Sequence, residues 1–182
     1  MSESTLHVQW VAWDGTSCEH FRLRWENGGW VGEGTVSGPN IQYVFRLGPD
    51  HDMRQLLLFR DLDEPDLWLV TDGKGRWGEM NGAVRDDLTG CNTLSIDCSP
   101  SFTLSVIRSL QLKIGEQAVV RVASIDVETL AIRPLDHTYT RFDTTRWGLA
   151  IDETGFQVVF DVDADDVLTT APGWFSRIAT TA

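Results

Sequence analysis

Cysteine, lysine and long apolar runs are all scarce in this chain of 182 residues. Its three cysteines, Cys18, Cys91 and Cys98, are odd in number and form no C-x-x-C pair, which argues against a disulfide framework and a structural zinc site. No stretch approaches the ~18 consecutive apolar residues of a membrane-spanning helix. The first residues also lack the basic and hydrophobic regions of a signal peptide. We therefore expect a cytoplasmic protein that does not span a membrane.

Positive charge is also in short supply. The chain has 27 acidic and 15 basic residues, which gives a net charge of −12. Such a surface repels phosphate backbones and anionic bilayers, so we expect no nucleic-acid partner. Only Lys74 and Lys113 are lysines; the other basic residues are arginines. This bias fits codon usage, and it also fits guanidinium groups that point inward to bind carboxylate, phosphate or sugar oxygens.

Short alternating segments fill most of the chain, together with eight tryptophans. The length fits one domain over residues 1–182, and the alternation predicts an all-β fold. We expect a curled antiparallel sheet of about twelve strands that forms a half-open barrel or spiral β-roll. Eight tryptophans indicate either a bulky core or an aromatic-lined cavity. The predicted strands are Leu6–Trp13, Phe21–Trp25, Trp30–Val36, Ile41–Leu47, Gln55–Leu62, Leu67–Thr71, Arg76–Met80, Ala118–Asp126, Thr129–Leu135, Thr138–Asp143, Trp147–Asp152 and Phe156–Val162.

Two segments need a separate interpretation. Residues 99–110 fit a helix with Ser99 as N-cap and Pro100 at its first position, but their apolar residues fit a strand nearly as well. The glycine-rich segment 28–34 lies between strands and no helix follows it, so it lacks the context of a phosphate-binding loop. We expect hairpin and bulge glycines there, with Asn27-Gly28-Gly29 supplying the positive-φ residues of a tight hairpin.

Enzymatic chemistry finds no positive support in the sequence. Asp161, Asp163 and Asp165 have the spacing of the first ligands of a calcium loop, but the glycine and glutamate required later in that loop are absent. The four histidines fit no metal motif, and we expect neither a metal nor another cofactor. The segment Asp50-His51-Asp52 could work as an acid–base group, although a solvated turn explains it as well. A small hydrolase or isomerase that uses these loop residues stays open as an alternative.

Several short motifs resemble the putative glycolipid-binding family of bacteria along nearly the whole chain. The resemblance implies an all-β roll around a cavity and an amphiphilic ligand, a glycolipid or related lipid. The chain departs from the family pattern at Ser95, at residues 100–103, at Val106 and at Asp166. If the central segment shapes the site, we expect the choice of ligand to differ from that of other members. The motifs are Trp13-Asp14-Gly15 with Glu19 and Leu23, Gly73-x-Gly75-Arg76-Trp77, Leu88-Thr89-Gly90-Cys91, Ser99-Pro100, Ile107-Arg108-Ser109-Leu110, His137-Thr138-Tyr139-Thr140-Arg141, Val162-Asp163-Ala164-Asp165 and Pro172-Gly173-Trp174-Phe175-x-Arg177.

Strand parity and the resemblance together suggest which residues bind this ligand. Aromatic faces combined with guanidinium groups suit sugar rings and lipid head groups, although arginine and tryptophan also stack on each other as pure structure. Four arginines are candidates for the polar head, and three aromatic residues are candidates for contacts near the mouth. A protein-interaction domain with an exposed tryptophan patch is a further alternative. The candidates are Arg54, Arg76, Arg108 and Arg141, with Tyr43, Trp77 and Tyr139.

Overall fold

The computed structural model describes residues 5–60 and 64–178, in which fourteen strands form one sheet around a short helix. A 3₁₀ turn, η1 (Asp86–Leu88), and the helix α1 (Ser101–Leu110) interrupt the strands. The strands are β1 (Leu6–Ala12), β2 (Cys18–Glu26), β3 (Gly29–Val36), β4 (Ile41–Leu47), β5 (Met53–Phe59), β6 (Leu67–Thr71), β7 (Trp77–Glu79), β8 (Thr93–Ile96), β9 (Gln117–Ile125), β10 (Ile132–Arg141), β11 (Arg146–Ile151), β12 (Phe156–Val162), β13 (Leu168–Ala171) and β14 (Phe175–Arg177).

The sheet is curled and open. Its strand order runs from β7 back to β1, then β14 back to β8, so β7 and β8 are its two edges. Neighbouring strands are antiparallel except for β8 and β9. We call β1–β7 the N-terminal half-sheet and β8–β14 the C-terminal half-sheet; they join where β1 pairs with β14. The predicted all-β, half-open roll is confirmed, and the sheet does not close into a barrel.

The strand count differs from the prediction for two local reasons. The predicted strands Thr129–Leu135 and Thr138–Asp143 are one strand, β10, because β9 pairs with it without interruption through Asp136 and His137. The short strands β8, β13 and β14 were missed, since three or four residues are too few to show alternation. The last two residues of the predicted strand Gln55–Leu62 lie outside the described residues.

The ambiguous segment before β9 is the helix α1. It begins at Ser101, with Pro100 at the cap position, and ends where Gln111 adopts a left-handed backbone with φ of 49°. All residues from Ser101 to Ile107 are buried, so the helix lies inside the curl of the sheet. Buried hydroxyls bond back to the helix backbone, as where Ser105 donates to the carbonyl of Phe102 at 2.9 Å. No helix in the described part of the chain is long and apolar enough to cross a membrane.

Aromatic rings fill the N-terminal half-sheet. The rings of Tyr43 and Phe45 stack 6.1 Å apart, and Phe45 lies 5.1 Å from Phe102 of α1. Both β4 rings lie against glycines of β3, because a Cβ on Gly34 would come within 2.1 Å of the Tyr43 ring and one on Gly32 within 2.2 Å of Phe45. The expectation of bulge glycines is wrong here: the β3–β4 register is regular, and these glycines admit rings.

Candidate functional site

A cavity of about 300 Å³ opens into the C-terminal half-sheet. Its walls come from β8–β12, from one side of α1 and from Trp174 in the turn before β14. Most of this lining is apolar, and that volume lies at the lower end of small-molecule sites. The apolar walls are Leu94, Ile96, Phe102, Val106, Val122, Ile125, Leu135, Leu149, Ile151, Phe156 and Trp174.

Strand β10 runs along the whole depth of this cavity. Because side chains two residues apart share a face, Arg133, Leu135, His137 and Tyr139 all point inward. Arg133 is exposed, while the next three are buried. The cavity therefore has a charged mouth at Arg133 and a floor near Tyr139, which pairs with Leu149 of β11.

His137 is the most unusual polar group in the cavity. The residue is 3% exposed, and neither ring nitrogen has a hydrogen-bond partner among the described residues. Burial lowers the pKa of His137 from 6.5 to about 4, so the imidazole is neutral near pH 7. A neutral imidazole carries one donor and one acceptor. It can therefore bind a hydroxyl or carbonyl group that enters the cavity.

Small hydroxyl side chains form another part of the wall. Ser95 and Ser124 face each other across the β8–β9 pair, with their oxygens 3.4 Å apart, and Thr103 comes from α1. Ser99 also lines the cavity. Its Oγ donates a hydrogen bond of 2.7 Å to Glu19, which lies outside the cavity. The cavity wall is thus linked to a buried polar cluster in the N-terminal half-sheet.

That cluster consists of Glu19, Tyr43, Ser99 and Ser101, all of them buried. The Tyr43 hydroxyl donates to Oε1 of Glu19 and shares a hydrogen bond of 2.6 Å with Ser101. Oε2 of Glu19 has no partner among the described residues. Burial raises the pKa of Glu19 from 4.5 to about 7, although the hydroxyl donors act in the opposite direction. Tyr43, a candidate from the sequence, therefore lies in an internal network behind the cavity wall.

Two candidate arginines meet in a different place. Arg108 of α1 and Arg141 of β10 line an open polar cleft together with His51 and Trp147. Arg141 lies eight residues along β10 from Arg133, on the same face, so the cleft is at the far end of the strand from the cavity mouth. Of the seven candidates, Tyr139 alone lines the apolar cavity, and Arg108 and Arg141 form a second group.

The remaining three candidates lie near the edge of the N-terminal half-sheet. Arg54 pairs with Asp52 at 2.5 Å and donates to the backbone carbonyl of Asp72 at 2.9 Å. Arg76 is exposed beside the turn that precedes β7. Trp77 is buried, and its indole donates to the carbonyl of Cys91 at 2.8 Å. The structure does not bring these three side chains to the cavity.

A larger groove, of about 500 Å³, lies on the outer face of β1–β4. Four of its polar residues are paired with each other: Arg22 contacts Glu33 at 2.5 Å, and Gln9 lies 3.2 Å from His20. It is open and presents no buried polar atom that awaits a ligand. We therefore regard the smaller, enclosed cavity as the better candidate.

The alternative functions can be compared with the same geometry. His51 stacks on Trp30 at 5.2 Å, while neighbouring Asp52 is held by Arg54, so these loop residues do not form an acid–base pair with each other. Of the eight tryptophans, only Trp13 and Trp25 are among the exposed large hydrophobic residues. In residues 5–60 and 64–178, no three His, Cys, Asp or Glu side chains are grouped so that they could hold a metal ion.

Sequence reasoning missed His137 as a cavity residue and Glu19 as a buried acid, although both occur in the quoted motifs. His137 stands two residues before Tyr139 and shares its face. Because residues 136–137 were placed between two predicted strands, the shared face of His137 and Tyr139 was not recognised. Glu19 likewise shares a face with Phe21 and Leu23 of β2, both buried. A charged residue on the apolar face of a strand is the signal that identifies such a position.

The comparisons with known proteins found a family model and a solved structure to which this chain is similar. A family model described as putative glycolipid-binding matches residues 7–177. The fold is similar to that of a DUF1089 family protein from Pseudomonas aeruginosa, known from a crystal structure, with a TM-score of 0.72. The match covers 98% of this chain and 94% of that chain, and the sequences are 22% identical. None of the curated proteins is similar enough to match.

Proposed function

Because this chain belongs to the putative glycolipid-binding family, we propose that it binds an amphiphilic ligand, a glycolipid or a related lipid, in the cavity of the C-terminal half-sheet. The observation that carries the proposal is the combination of apolar walls with one buried imidazole that has no partner, His137. The proposed role is binding rather than a chemical reaction. Family membership supports the ligand class, and the cavity supports the place.

The apolar part of the ligand would lie against the aliphatic and aromatic walls of the cavity. Val122, Leu149 and Ile151 present aliphatic walls there, and Phe102 of α1 closes one side. Cavities lined in this way are poorly hydrated, so an acyl chain that enters displaces little bound water. Burial of apolar surface contributes about 25 cal/mol per Å², which makes a single chain sufficient for measurable affinity.

A hydroxyl or carbonyl group of the ligand would form a hydrogen bond with His137, and the rest of the head group would lie at the mouth. A neutral imidazole binds hydroxyl and carbonyl groups without favouring an anion. Arg133, Asp126 and Thr154 surround the mouth and offer both signs of charge to a sugar or glycerol head group. Of the sequence candidates, this proposal uses Tyr139 as the aromatic floor of the site.

The proposal is tested first by native mass spectrometry of gently purified protein, followed by organic extraction of any retained molecule. A titration with dansyl-labelled undecanoic acid then reports directly on the cavity. The blocking variant is Ser124→Phe, because Ser124 lines the cavity and is only half-buried. We expect it to weaken probe binding about tenfold or more, which corresponds to about 1.4 kcal/mol.

The matched control is Thr35→Phe, which places the same ring on the exposed outer face of β3. We expect that variant to bind the probe like the wild type. Equal affinity in all three proteins would reject the cavity as the binding site. An extracted molecule without an apolar chain would reject the proposed ligand class.

A second titration tests the role of His137. His137→Leu keeps an apolar side chain of comparable reach but removes the donor and acceptor. Affinity for a monoacylglycerol should fall roughly five- to tenfold, the equivalent of one hydrogen bond, while affinity for an alkane of equal chain length should not fall. A parallel loss for both ligands would show that the imidazole acts only through packing.

A further inference from the structure

The polar cleft at the far end of β10 is separate from the apolar cavity. It has a volume of about 450 Å³ and is lined by His51, Ile107, Arg108, Gln111, Arg141, Trp147 and Asp166. The eight residues between Arg133 at the cavity mouth and Arg141 at the cleft span about 26 Å of extended strand. The cleft is therefore far from the cavity mouth, whereas the cavity floor at Tyr139 is two residues from Arg141.

Arg141 is held in place without being neutralised. Its Nη1 donates to the carbonyl of Leu112 at 2.7 Å, and its Nε donates to the carbonyl of Asp143 at 3.3 Å. The guanidinium carbon lies 5.4 Å from the ring centroid of Trp147. Carbonyls and a π-face orient the cation but leave its full positive charge and several N–H donors available.

Arg108 is held in the same way. Its Nη2 donates to the carbonyl of Asp165 at 2.5 Å, and the residue is half-buried at the end of α1. In the described part of the chain, neither Arg108 nor Arg141 has a carboxylate within 4.0 Å, whereas eight other arginines do. Those eight are Arg22, Arg24, Arg54, Arg60, Arg85, Arg121, Arg146 and Arg177.

Two buried ring nitrogens next to these arginines also lack partners among the described residues. Trp147 is 1% exposed, yet its indole Nε1 has no acceptor among the described residues. Nδ1 of His51 is also buried and has no hydrogen-bond partner among the described residues. Burial, together with the charge of Arg108, lowers the pKa of His51 to about 4, so this ring is neutral and can still donate one N–H. A buried N–H without an acceptor is unfavourable, and a ligand oxygen that accepts from it would remove this cost.

We propose that this cleft binds a phosphate group, held by the guanidinium groups of Arg108 and Arg141 and by the indole N–H of Trp147. Among the residues that line the cleft, two guanidinium groups stand against the one carboxylate of Asp166. Asp163 and Asp165 also act on Arg108 from outside the lining, and Asp50 and Asp52 act on His51. Phosphate has enough oxygens to accept from both forks and from the indole at once. The group comes from free phosphate or from a soluble phosphate ester; the chemistry at the cleft is the same.

The test measures inorganic phosphate binding by titration calorimetry in four variants of the full chain. Arg108→Gln and Arg141→Gln should each weaken binding about tenfold or more, because each removes a charge-assisted hydrogen bond. Trp147→Phe keeps an aromatic ring at this position but removes the indole N–H together with part of the buried ring, so we expect a loss of about three- to tenfold. Arg146→Gln is the matched control: it removes one arginine from the outer face of the strand that carries Trp147, and it should bind like the wild type.

Arg141→Lys separates geometry from charge. It keeps the positive charge but lacks the planar fork, so its affinity should lie between those of the wild type and Arg141→Gln. Thermal melting followed by circular dichroism shows which variants fold. If Arg141→Gln does not fold, Arg108→Gln still decides the question, because it removes none of the carbonyl or ring contacts that hold Arg141.

The outcomes are distinct. Phosphate binding that both arginine variants and Trp147→Phe weaken, and that Arg146→Gln leaves intact, supports the proposal. Equal binding in all variants, or no binding by the wild type at millimolar phosphate, overturns it. Tighter binding of glycerol phosphate than of inorganic phosphate identifies an ester as the source of the group. Dansyl-undecanoate titrations of the same variants report on the apolar cavity separately, so a failure there does not affect this result.

Discussion

The two half-sheets have the same secondary structure but different interiors. In the N-terminal half-sheet, rings such as Tyr43 and Phe45 lie directly over Gly34 and Gly32 and fill the space inside the curl. In the C-terminal half-sheet, the corresponding wall carries serines and aliphatic side chains, and a cavity of about 300 Å³ remains. The sheet alone does not create a binding site. Side-chain size on the inner face decides whether the curl is filled or left hollow.

The buried polar groups of the two halves differ in the same way. Glu19 accepts hydrogen bonds from Tyr43 and Ser99, so its position is fixed within the protein. His137 has no partner in the described residues, although it is almost as deeply buried. A paired group stabilises the fold, whereas an unpaired one at a cavity wall is available to a ligand.

The largest expected contrast comes from a matched pair of leucine truncations. Leu58→Ala removes a side chain that is 0% exposed in the filled half, and we expect a loss of about 4 kcal/mol in the free energy of unfolding. Leu149→Ala borders an existing cavity, so fewer packing contacts disappear and we expect about 2 kcal/mol. Urea unfolding of both variants measures the difference, and equal losses would contradict the contrast between the halves.

The second contrast concerns Glu19 and the rise from acidic to neutral pH. Its pKa rises from 4.5 to about 7 on folding, so its contribution to stability is complete below pH 4.5 and is lost as the pH rises through about 7. The wild type should therefore lose about 3 kcal/mol over that interval because of this group. Glu19→Gln keeps a neutral side chain of the same shape and should flatten that part of the profile. Urea unfolding at about pH 5 and about pH 9 tests this, and parallel profiles would contradict it.

His137 should produce the opposite dependence. Its pKa falls from 6.5 to about 4 on folding, so its contribution is complete above pH 6.5 and is lost as the pH falls through about 4. Relative to His137→Leu, the wild type should lose up to about 3 kcal/mol across this window. His7→Leu, a change at an exposed histidine, is the control. Thermal melts from neutral to acidic pH measure the effect; no difference between wild type and His137→Leu would show that the ring is not buried in solution.

The last comparison adds side-chain volume to the inner face of each half-sheet and measures the change in stability. Gly34→Ala places a methyl group within 2.1 Å of the Tyr43 ring, and we expect it to cost about 2–3 kcal/mol. Ser124→Leu extends into the cavity and should change stability by less than about 1 kcal/mol. Chemical unfolding of both proteins compares them. A large loss for Ser124→Leu would mean that the cavity collapses in solution.

Much of the fold could be predicted from local patterns. The alternation of Val8 and Trp10 with His7 and Gln9 placed β1 correctly. The predicted tight turn between β2 and β3 is present, but only Asn27 and Gly28 have positive φ, because Gly29 already belongs to β3. The prediction failed where local patterns carry little information. The four residues of β8 are too few, and the α1 segment fits two periods because it is buried on nearly all sides.

The candidate site was harder to predict for a related reason. Parity and resemblance selected Tyr139, Arg108 and Arg141, which the structure places in two separate concave sites on one face of β10–β11 and α1. They also selected Arg54, which forms an ion pair with Asp52 in the structure. Sequence cannot distinguish an arginine with a nearby carboxylate from one held only by carbonyls, because the partners come from distant segments.

By itself, the sequence determined the strands, most of their faces and the family to which the chain belongs. These properties depend on neighbours within a few residues and on motifs that can be read in order. Only the tertiary structure decided that α1 enters the curl, that Glu19 is paired and His137 is not, and that one half is filled while the other is hollow. Those outcomes depend on contacts between residues far apart in the chain, such as Glu19 with Ser99, which form only after the sheet has curled.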